Sequence, residues 1–142
     1  MTTGTDSEIV YYIYSRWRVD IQFTDREIDV MEVLWERGPS LVSEVRAALR
    51  DDLAYTTVLT ILRTLEGKRY VGHEQEGRGY RYFAAVKRQA AQQSALRHLT
   101  SKLFKGSAEL LFTHLVFDQK LSAKQIRNMR ALLEGKSPKR EN

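Results

Sequence analysis

Hydrophobic residues recur every three to four positions between residues 24 and 68, and this spacing predicts three amphipathic helices. The first is expected to begin at Thr24, because the run Thr-Asp-Arg-Glu is typical of a capping box. Gly38-Pro39 predicts its end, and Ser40 is expected to cap the second helix. The predicted apolar faces of these two helices are Ile28, Met31, Leu34 and Trp35, then Leu41, Val45, Ala48 and Leu49.

The third helix is predicted from Tyr55 to about Lys68, and two strands follow it. Residues 71–76 and 80–83 are the predicted strands, and Gly77-Arg78-Gly79 between them is typical of a hairpin turn. Three helices followed by a hairpin are the order of a winged helix-turn-helix. The apolar stripe of the third helix is formed by Val58, Ile61, Leu62 and Leu65.

Residues 86–135 predict three further amphipathic helices, with Ser107 and Ser122 as the expected caps of the last two. Three such helices in about fifty residues make a poor independent core, so a second copy of the chain is expected to cover their apolar stripes. The predicted dimerisation residues are Leu96, Leu99, Leu103, Leu111, Leu115, Ile126, Met129 and Leu133.

The predicted fold is mainly α with a small β-hairpin, in two parts. Residues 22–85 are expected to form a winged-helix DNA-binding domain, and residues 86–135 a helical dimerisation region. Residues 1–21 show no clear period and form an N-terminal extension. This extension is a disordered lead, a misassigned start, or an ordered arm on the domain. Residues 136–142 are expected to be a loose basic tail.

Composition narrows the class of protein without identifying it. Of the 142 residues 42% are hydrophobic, which is enough to bury a core, and the net charge of +5 favours polyanionic partners only weakly. The absence of cysteine excludes disulfides, thiolate metal sites and cysteine nucleophiles. The apolar runs are too short for a transmembrane helix or a signal peptide. We therefore expect a cytoplasmic protein with no membrane insertion.

The side of the third helix opposite its apolar stripe is the main candidate for binding. Thr56, Thr60 and Arg63 share one face, and Thr57 and Thr64 flank them. Threonine is a mediocre helix former, whereas an ordinary solvated face favours Glu, Lys and Gln. Small hydroxyls can approach phosphates and base edges, and arginine can bind guanine or phosphate. This face predicts DNA contact, and ordinary surface threonines are the alternative.

The hairpin supplies a second candidate, because Arg78 lies at its tip between two glycines and Arg81 follows on the return strand. A guanidinium on a flexible tip suits the minor groove or the phosphate backbone, and a solvated turn is the alternative. Tyr80 and Tyr82 alternate with Arg81 and are expected to face the core.

No residue pattern favours an enzyme. His73, His98 and His114 are scattered, without the spacing of a metal site, and we interpret them as surface or packing residues. The sequence contains no nucleophile elbow and no glycine-rich phosphate loop. We expect no catalytic residue, no cofactor and no metal.

Several motifs together resemble the penicillinase repressor family, that of the BlaI, MecI and CopY repressors. The resemblance covers about residues 22–135. It is carried by Thr24-Asp25-Arg26-Glu27, Val30-Met31 with Leu34-Trp35, Tyr55-Thr56-Thr57-Val58 with Thr60-Ile61-Leu62-Arg63, Gly77-Arg78-Gly79-Tyr80-Arg81-Tyr82, and Leu103-Phe104-Lys105-Gly106-Ser107 with Leu121-Ser122.

The resemblance implies a dimer that binds a palindromic operator and blocks transcription. It implies a third helix in the major groove and a wing on the DNA backbone. The two third helices would lie about one DNA turn, roughly 34 Å, or a multiple, apart. The DNA contacts implied in this way are Tyr55, Thr56, Thr57, Thr60, Arg63, Arg78 and Arg81.

Release from DNA is where the sequence departs from the family. In beta-lactam-responsive members, a membrane metalloprotease sensor cuts the repressor at an Asn-Phe bond. The aligned pair here is Ser107-Ala108, so the expected cleavage residues are absent. Copper-responsive members use C-terminal cysteines, and this chain has none. The sequence predicts no particular inducer.

Two other functions stay open from the sequence. A winged helix can serve as a protein-interaction module, because fold does not fix function. The chain could also be a ligand-responsive regulator with a pocket between the wing and the helical segment, although no residue marks such a pocket. A steep loss of DNA affinity with salt would separate a DNA binder from the interaction module.

Overall fold

The computed structural model describes residues 20–136. The predictions of an N-terminal extension over residues 1–19 and of a loose tail over residues 137–142 lie outside the described residues. The chain divides into two compact units, one ending at Arg97 and the other beginning at His98.

Three helices and a small sheet precede a fourth helix in the first unit, and two more helices complete the second. The elements are α1 (Asp25–Arg37), β1 (Ser40–Leu41), α2 (Val42–Ala48), α3 (Tyr55–Gly67), β2 (Val71–Glu76), β3 (Gly79–Ala84), α4 (Arg88–Leu103), α5 (Ala108–Asp118) and α6 (Ala123–Leu133). Over residues 20–136, this order confirms the prediction of a mainly α fold in which a winged helix-turn-helix comes first.

Helix α1 begins where the capping-box motif predicted. The Thr24 hydroxyl accepts a hydrogen bond from the Glu27 amide at 3.2 Å, and the Glu27 carboxylate accepts one from the Thr24 amide at 2.8 Å. Gly38 ends the helix with a φ of 81°, which glycine adopts without steric cost. The prediction that Ile28 belongs to the apolar face was wrong, because Ile28 is exposed. The buried face is formed by Glu27, Val30, Met31, Val33 and Leu34.

The prediction that Ser40 caps the second helix was also wrong. Ser40 and Leu41 form strand β1, which pairs with β3 opposite Tyr82 and Arg81. Helix α2 begins after this strand, and the Leu41 amide donates to the Glu44 carboxylate at 2.9 Å. Pairing with a strand that is distant in sequence therefore decides the conformation of Ser40, and local capping does not.

Strand β3 lies at the centre of the sheet, between β1 and β2. Tyr82 is 2% exposed and belongs to the core, as predicted. The same prediction for Tyr80 was wrong, because its side chain is 43% exposed. Tyr80 lies closer to the hairpin turn, where residues 73–78 are all exposed, so no core reaches it.

The core of the first unit extends beyond residue 85, where the sequence predicted the domain to end. The fully buried residues of the helices are Val30, Met31, Val45, Val58, Leu62 and Leu65. Val86, Ala90 and Ala91 are also buried, on the chain leading into α4 and in its first turn. The Ser94 hydroxyl accepts from the Ile21 amide at 2.8 Å and donates to the Ile21 carbonyl at 3.2 Å. The first part of α4 therefore packs as part of the winged-helix unit.

Helices α5 and α6 begin at the serines predicted to cap them. The Ser107 hydroxyl accepts from the Leu110 amide at 3.0 Å, and the Ser122 hydroxyl accepts from the Gln125 amide at 3.1 Å. The Gln125 side chain completes a capping box by accepting from the Ser122 amide at 2.8 Å. No residue of α5 or α6 is buried. Their apolar side chains are therefore left partly uncovered in a single chain.

Candidate DNA-binding surface

Helix α3 has two contrasting sides, as the sequence predicted. Val58, Leu62 and Leu65 are 0% exposed and hold the helix to the core. The opposite side is exposed, and we call it the threonine face. Its residues are Thr56, Thr57, Thr60, Arg63 and Thr64. The structure therefore gathers these predicted residues on one accessible surface.

The hydroxyl groups of the threonine face fall into two kinds. Thr60 and Thr64 each donate to the backbone carbonyl one turn earlier, at 2.9 Å, so their hydroxyl protons are already used. The hydroxyls of Thr56 and Thr57 make no hydrogen bond within residues 20–136. Because a phosphate oxygen needs a donor, the first turn of α3 is better suited to bind phosphate than the turns that follow.

The N-terminus of α3 is open to an anion. Ala54 stands at the N-cap and supplies no side-chain acceptor, and the first turn carries no acidic residue. The amides of Tyr55 and Thr56 belong to the first turn of a helix, where backbone donors have no intrahelical acceptor. These donors and the helix dipole favour a negatively charged group. The Tyr55 side chain beside them is 47% exposed.

Side chains of β2 and β3 contact helix α3 near Arg63. Burial, and then the charge of Glu66, raises the pKa of the Tyr82 phenol, while the nearby Arg63 guanidinium lowers it. His73 on β2 forms an ion pair with Glu66, and its ring packs edge-on against Tyr80 with centroids 4.7 Å apart. The sequence gave His73 only a surface or packing role, but the residue connects the wing to α3.

The two predicted wing arginines have different surroundings. Arg78 is exposed at the hairpin tip, next to Gly77 with a φ of 61°, and forms no ion pair with any residue of 20–136. Arg81 forms ion pairs with Glu44 and Glu76 and is 33% exposed. Hydrogen bonding to Glu76 chiefly raises the pKa of Arg81. The structure thus leaves one wing cation free and holds the other within the protein.

The pKa of the Glu44 carboxyl is lowered, first by the hydrogen bond from the Leu41 amide and further by the charge of Arg81. Glu44 is therefore the anionic partner of both the first turn of α2 and the central strand. Sequence reasoning missed this role because its two contacts join residues far apart along the chain.

The predicted dimerisation residues lie largely on the surface of the chain. Leu111 and Met129 are half-buried, and the other six are exposed. The most exposed are Leu103, at 72%, and Leu133, at 71%. Among residues 20–136, no group of three or more His, Asp or Glu side chains could hold a metal. None of the helices in that range is long and apolar enough to cross a membrane.

A family model described as penicillinase repressor matches residues 23–135, which is most of the chain. The chain belongs to the penicillinase repressor family. This confirms the resemblance found in the sequence motifs. The transcriptional regulator BlaI of Mycobacterium tuberculosis is 46% identical over 61 residues, a match that spans 41% of this chain and 44% of BlaI. The methicillin resistance regulatory protein MecI of Staphylococcus aureus is 19% identical over 119 residues, spanning 81% of this chain and 95% of MecI.

Solved structures give a weaker likeness. The transcriptional regulator Tm0710 of Thermotoga maritima has a TM-score of 0.48 and 18% identity, covering 91% of this chain and 88% of that chain. This likeness adds nothing to the family assignment. The named relatives are regulators and not enzymes, in agreement with the expectation that this chain is not an enzyme.

Proposed function

We propose that this penicillinase repressor family protein is a DNA-binding transcriptional regulator that represses by occupying an operator. The observation that carries the proposal is the threonine face of α3, which is exposed, has no acidic residue and begins at an open helix N-terminus. Family membership supports the same conclusion, because the relatives BlaI and MecI are named as regulators.

In the proposed complex, α3 lies in the major groove. Thr56, Thr57 and the amides at the start of the helix bind a phosphate, and the Tyr55 hydroxyl can join them. Thr60 presents its methyl group and Arg63 its guanidinium to base edges, where thymine methyl and guanine are their natural partners. Arg78 reaches the minor groove or the backbone from the wing tip.

We further propose that the regulator binds as a homodimer to a palindromic operator. The uncovered apolar side chains of α5 and α6 support this, since a second copy would cover them. Two copies of α3 related by a twofold axis would contact half-sites about one DNA turn, roughly 34 Å, or a multiple, apart. A regulator of this kind acts on chromosomal DNA, so we place it in the cytoplasm.

A membrane metalloprotease sensor is the release partner that the family resemblance implies. The Ser107-Ala108 pair stands where that sensor would cut, and the Ser107 hydroxyl caps the first turn of α5 at 3.0 Å from the Leu110 amide. Proteolytic nicking concentrates at exposed loop tips, and a capped helix start is a poorer substrate. Our proposal therefore assigns no cleavage to this bond.

A mobility-shift titration with the DNA upstream of the protein's own coding sequence tests the proposal. Arg63→Ala should weaken binding by about 1–3 kcal/mol if Arg63 reads a base. Arg97→Ala is the matched control, because it removes the same charge from an exposed position outside α3 and the wing. Equal binding by the wild type and Arg63→Ala would refute the assignment of α3 as the reading element.

A further inference from the structure

A cluster of charged side chains surrounds Arg81 on the central strand of the sheet. The guanidinium donates through Nε to Glu76, and through a terminal nitrogen to Glu44 at 3.2 Å and to the Pro39 carbonyl at 3.1 Å. Its partners come from β2, from the first turn of α2 and from the residue before β1. One side chain therefore connects the wing hairpin to the helix-turn-helix.

The charge of this cluster argues against a phosphate contact by Arg81. One cation lies between two carboxylates, so the group has a net charge of −1. A phosphate approaching it would meet like charge, and Arg81 would have to leave both partners to bind it. The carboxylates are also engaged, since Glu44 accepts from the Leu41 amide at 2.9 Å.

Arg78 provides the contrast within the same hairpin. It stands at the exposed tip, three residues earlier, with no ion pair among the described residues. Its charge is available to DNA without a competing carboxylate. The two arginines, which look equivalent in the sequence, therefore differ in what they can bind.

We propose that Arg81 is a positioning residue, which fixes the wing against β1 and α2 so that Arg78 meets the DNA. This inference rests on the proposed function for its consequence at the operator. The contacts themselves belong to the free protein, so wing order and DNA binding can be tested separately.

The first experiment measures amide hydrogen exchange in the full-length protein without DNA. Arg81→Gln should speed exchange several-fold in β2 and β3 while leaving α1 and α3 unchanged, because the wing loses its attachment. Arg81→Lys keeps the charge but not the planar fork and should fall between Gln and wild type. Arg78→Gln is the control and should match wild type. Unchanged wing exchange in Arg81→Gln, or an equal acceleration across α1 and α3, would overturn the proposal.

The second experiment measures binding against salt, with a duplex selected by the wild-type protein from a random-sequence pool. Arg78→Gln should reduce the slope of log affinity against log salt by about one, the signature of a lost phosphate contact. Arg81→Gln should weaken binding with the slope unchanged. A slope reduced by about one in Arg81→Gln would show that Arg81 binds phosphate and would overturn the inference.

A double-mutant cycle separates positioning from contact. In a Glu44→Gln, Glu76→Gln background the attachment is already lost, so adding Arg81→Gln should weaken binding little further. An undiminished effect of Arg81→Gln in that background would contradict the positioning role. If the wild type selects no duplex at any salt concentration, the proposed function fails, and the exchange experiment still decides whether Arg81 orders the wing.

Discussion

The ammonium group of Lys68 donates to both carboxylate oxygens of Glu27, at 2.9 Å each. Lys68 directly follows α3, and Glu27 lies in the first turn of α1, where its carboxylate also completes the capping box with Thr24. Glu27 is 4% exposed, so its charge depends on these partners. The pair therefore fixes the end of the proposed reading helix to the start of α1.

Loss of the lysine should destabilise the first unit. Lys68→Met leaves the buried Glu27 carboxylate without its cation, and we expect a loss of about 1–3 kcal/mol in the free energy of unfolding. Urea denaturation followed by circular dichroism measures it. Lys87→Met, at an exposed lysine before α4, is the control and should change stability little. Equal midpoints for the two variants would show that the ion pair contributes nothing.

The same carboxylate should make stability depend on acid. Burial raises the pKa of Glu27, but hydrogen bonds from Thr24 and Lys68 outweigh it, and the pKa lies below its ordinary value of 4.5. Because the folded-state pKa is depressed, the stabilisation is present above 4.5 and is lost as pH falls through the folded-state value.

Urea titrations of the wild type and of Glu27→Gln, from pH 7 down to about 3, test this linkage. The stability gap between the two proteins should be widest at neutral pH and should narrow below pH 4.5. A gap of constant size over the whole range would exclude Glu27 as the titrating group.

The two kinds of threonine hydroxyl predict different effects of valine, which keeps the shape and removes the hydroxyl. Thr56→Val should weaken DNA binding by about 0.5–1.5 kcal/mol, because it removes a free donor at the start of α3. Thr60→Val should have a smaller effect, since that hydroxyl already donates to the Thr56 carbonyl. Anisotropy titrations with one labelled duplex compare them, and a larger loss for Thr60→Val would reverse our assignment.

The exposed leucine at the end of α6 tests the proposed dimer. Leu133→Asp places a charge where an apolar interface is proposed, and a fully exposed position in the chain should tolerate it. We expect a shift from dimer to monomer in analytical ultracentrifugation and a loss of tight binding to a palindromic duplex. Lys120→Asp, which also adds an acid at an exposed site in the same unit, should remain dimeric.

Local patterns predicted the parts of the fold that local interactions determine. The capping box at Thr24, the apolar stripe of α3 and the hairpin at Gly77 depend on residues within a few positions of each other. Ser40 became part of a strand because its partner, Tyr82, lies far away in sequence. Its preference for capping a helix could not show this.

The candidate surface was predictable in its position but not in its details. The threonine face followed from helical periodicity. The charge state of the wing did not, because Arg81 finds Glu44 only when β1 pairs with β3. The inward position of Glu27 could not be predicted either, since an acid in the first turn of a helix ordinarily faces solvent and its partner Lys68 lies at the end of another helix.

The central claim, that the threonine face of α3 binds a specific DNA site, is tested most directly by fluorescence anisotropy with two duplexes. One duplex carries the palindrome from the region upstream of the gene, and the other carries the same bases in scrambled order. We predict tighter binding to the palindrome, with log affinity falling linearly as log salt rises, and loss of the preference in Arg63→Ala. No binding of either duplex at low salt, or equal affinity of the wild type for both, would contradict the claim.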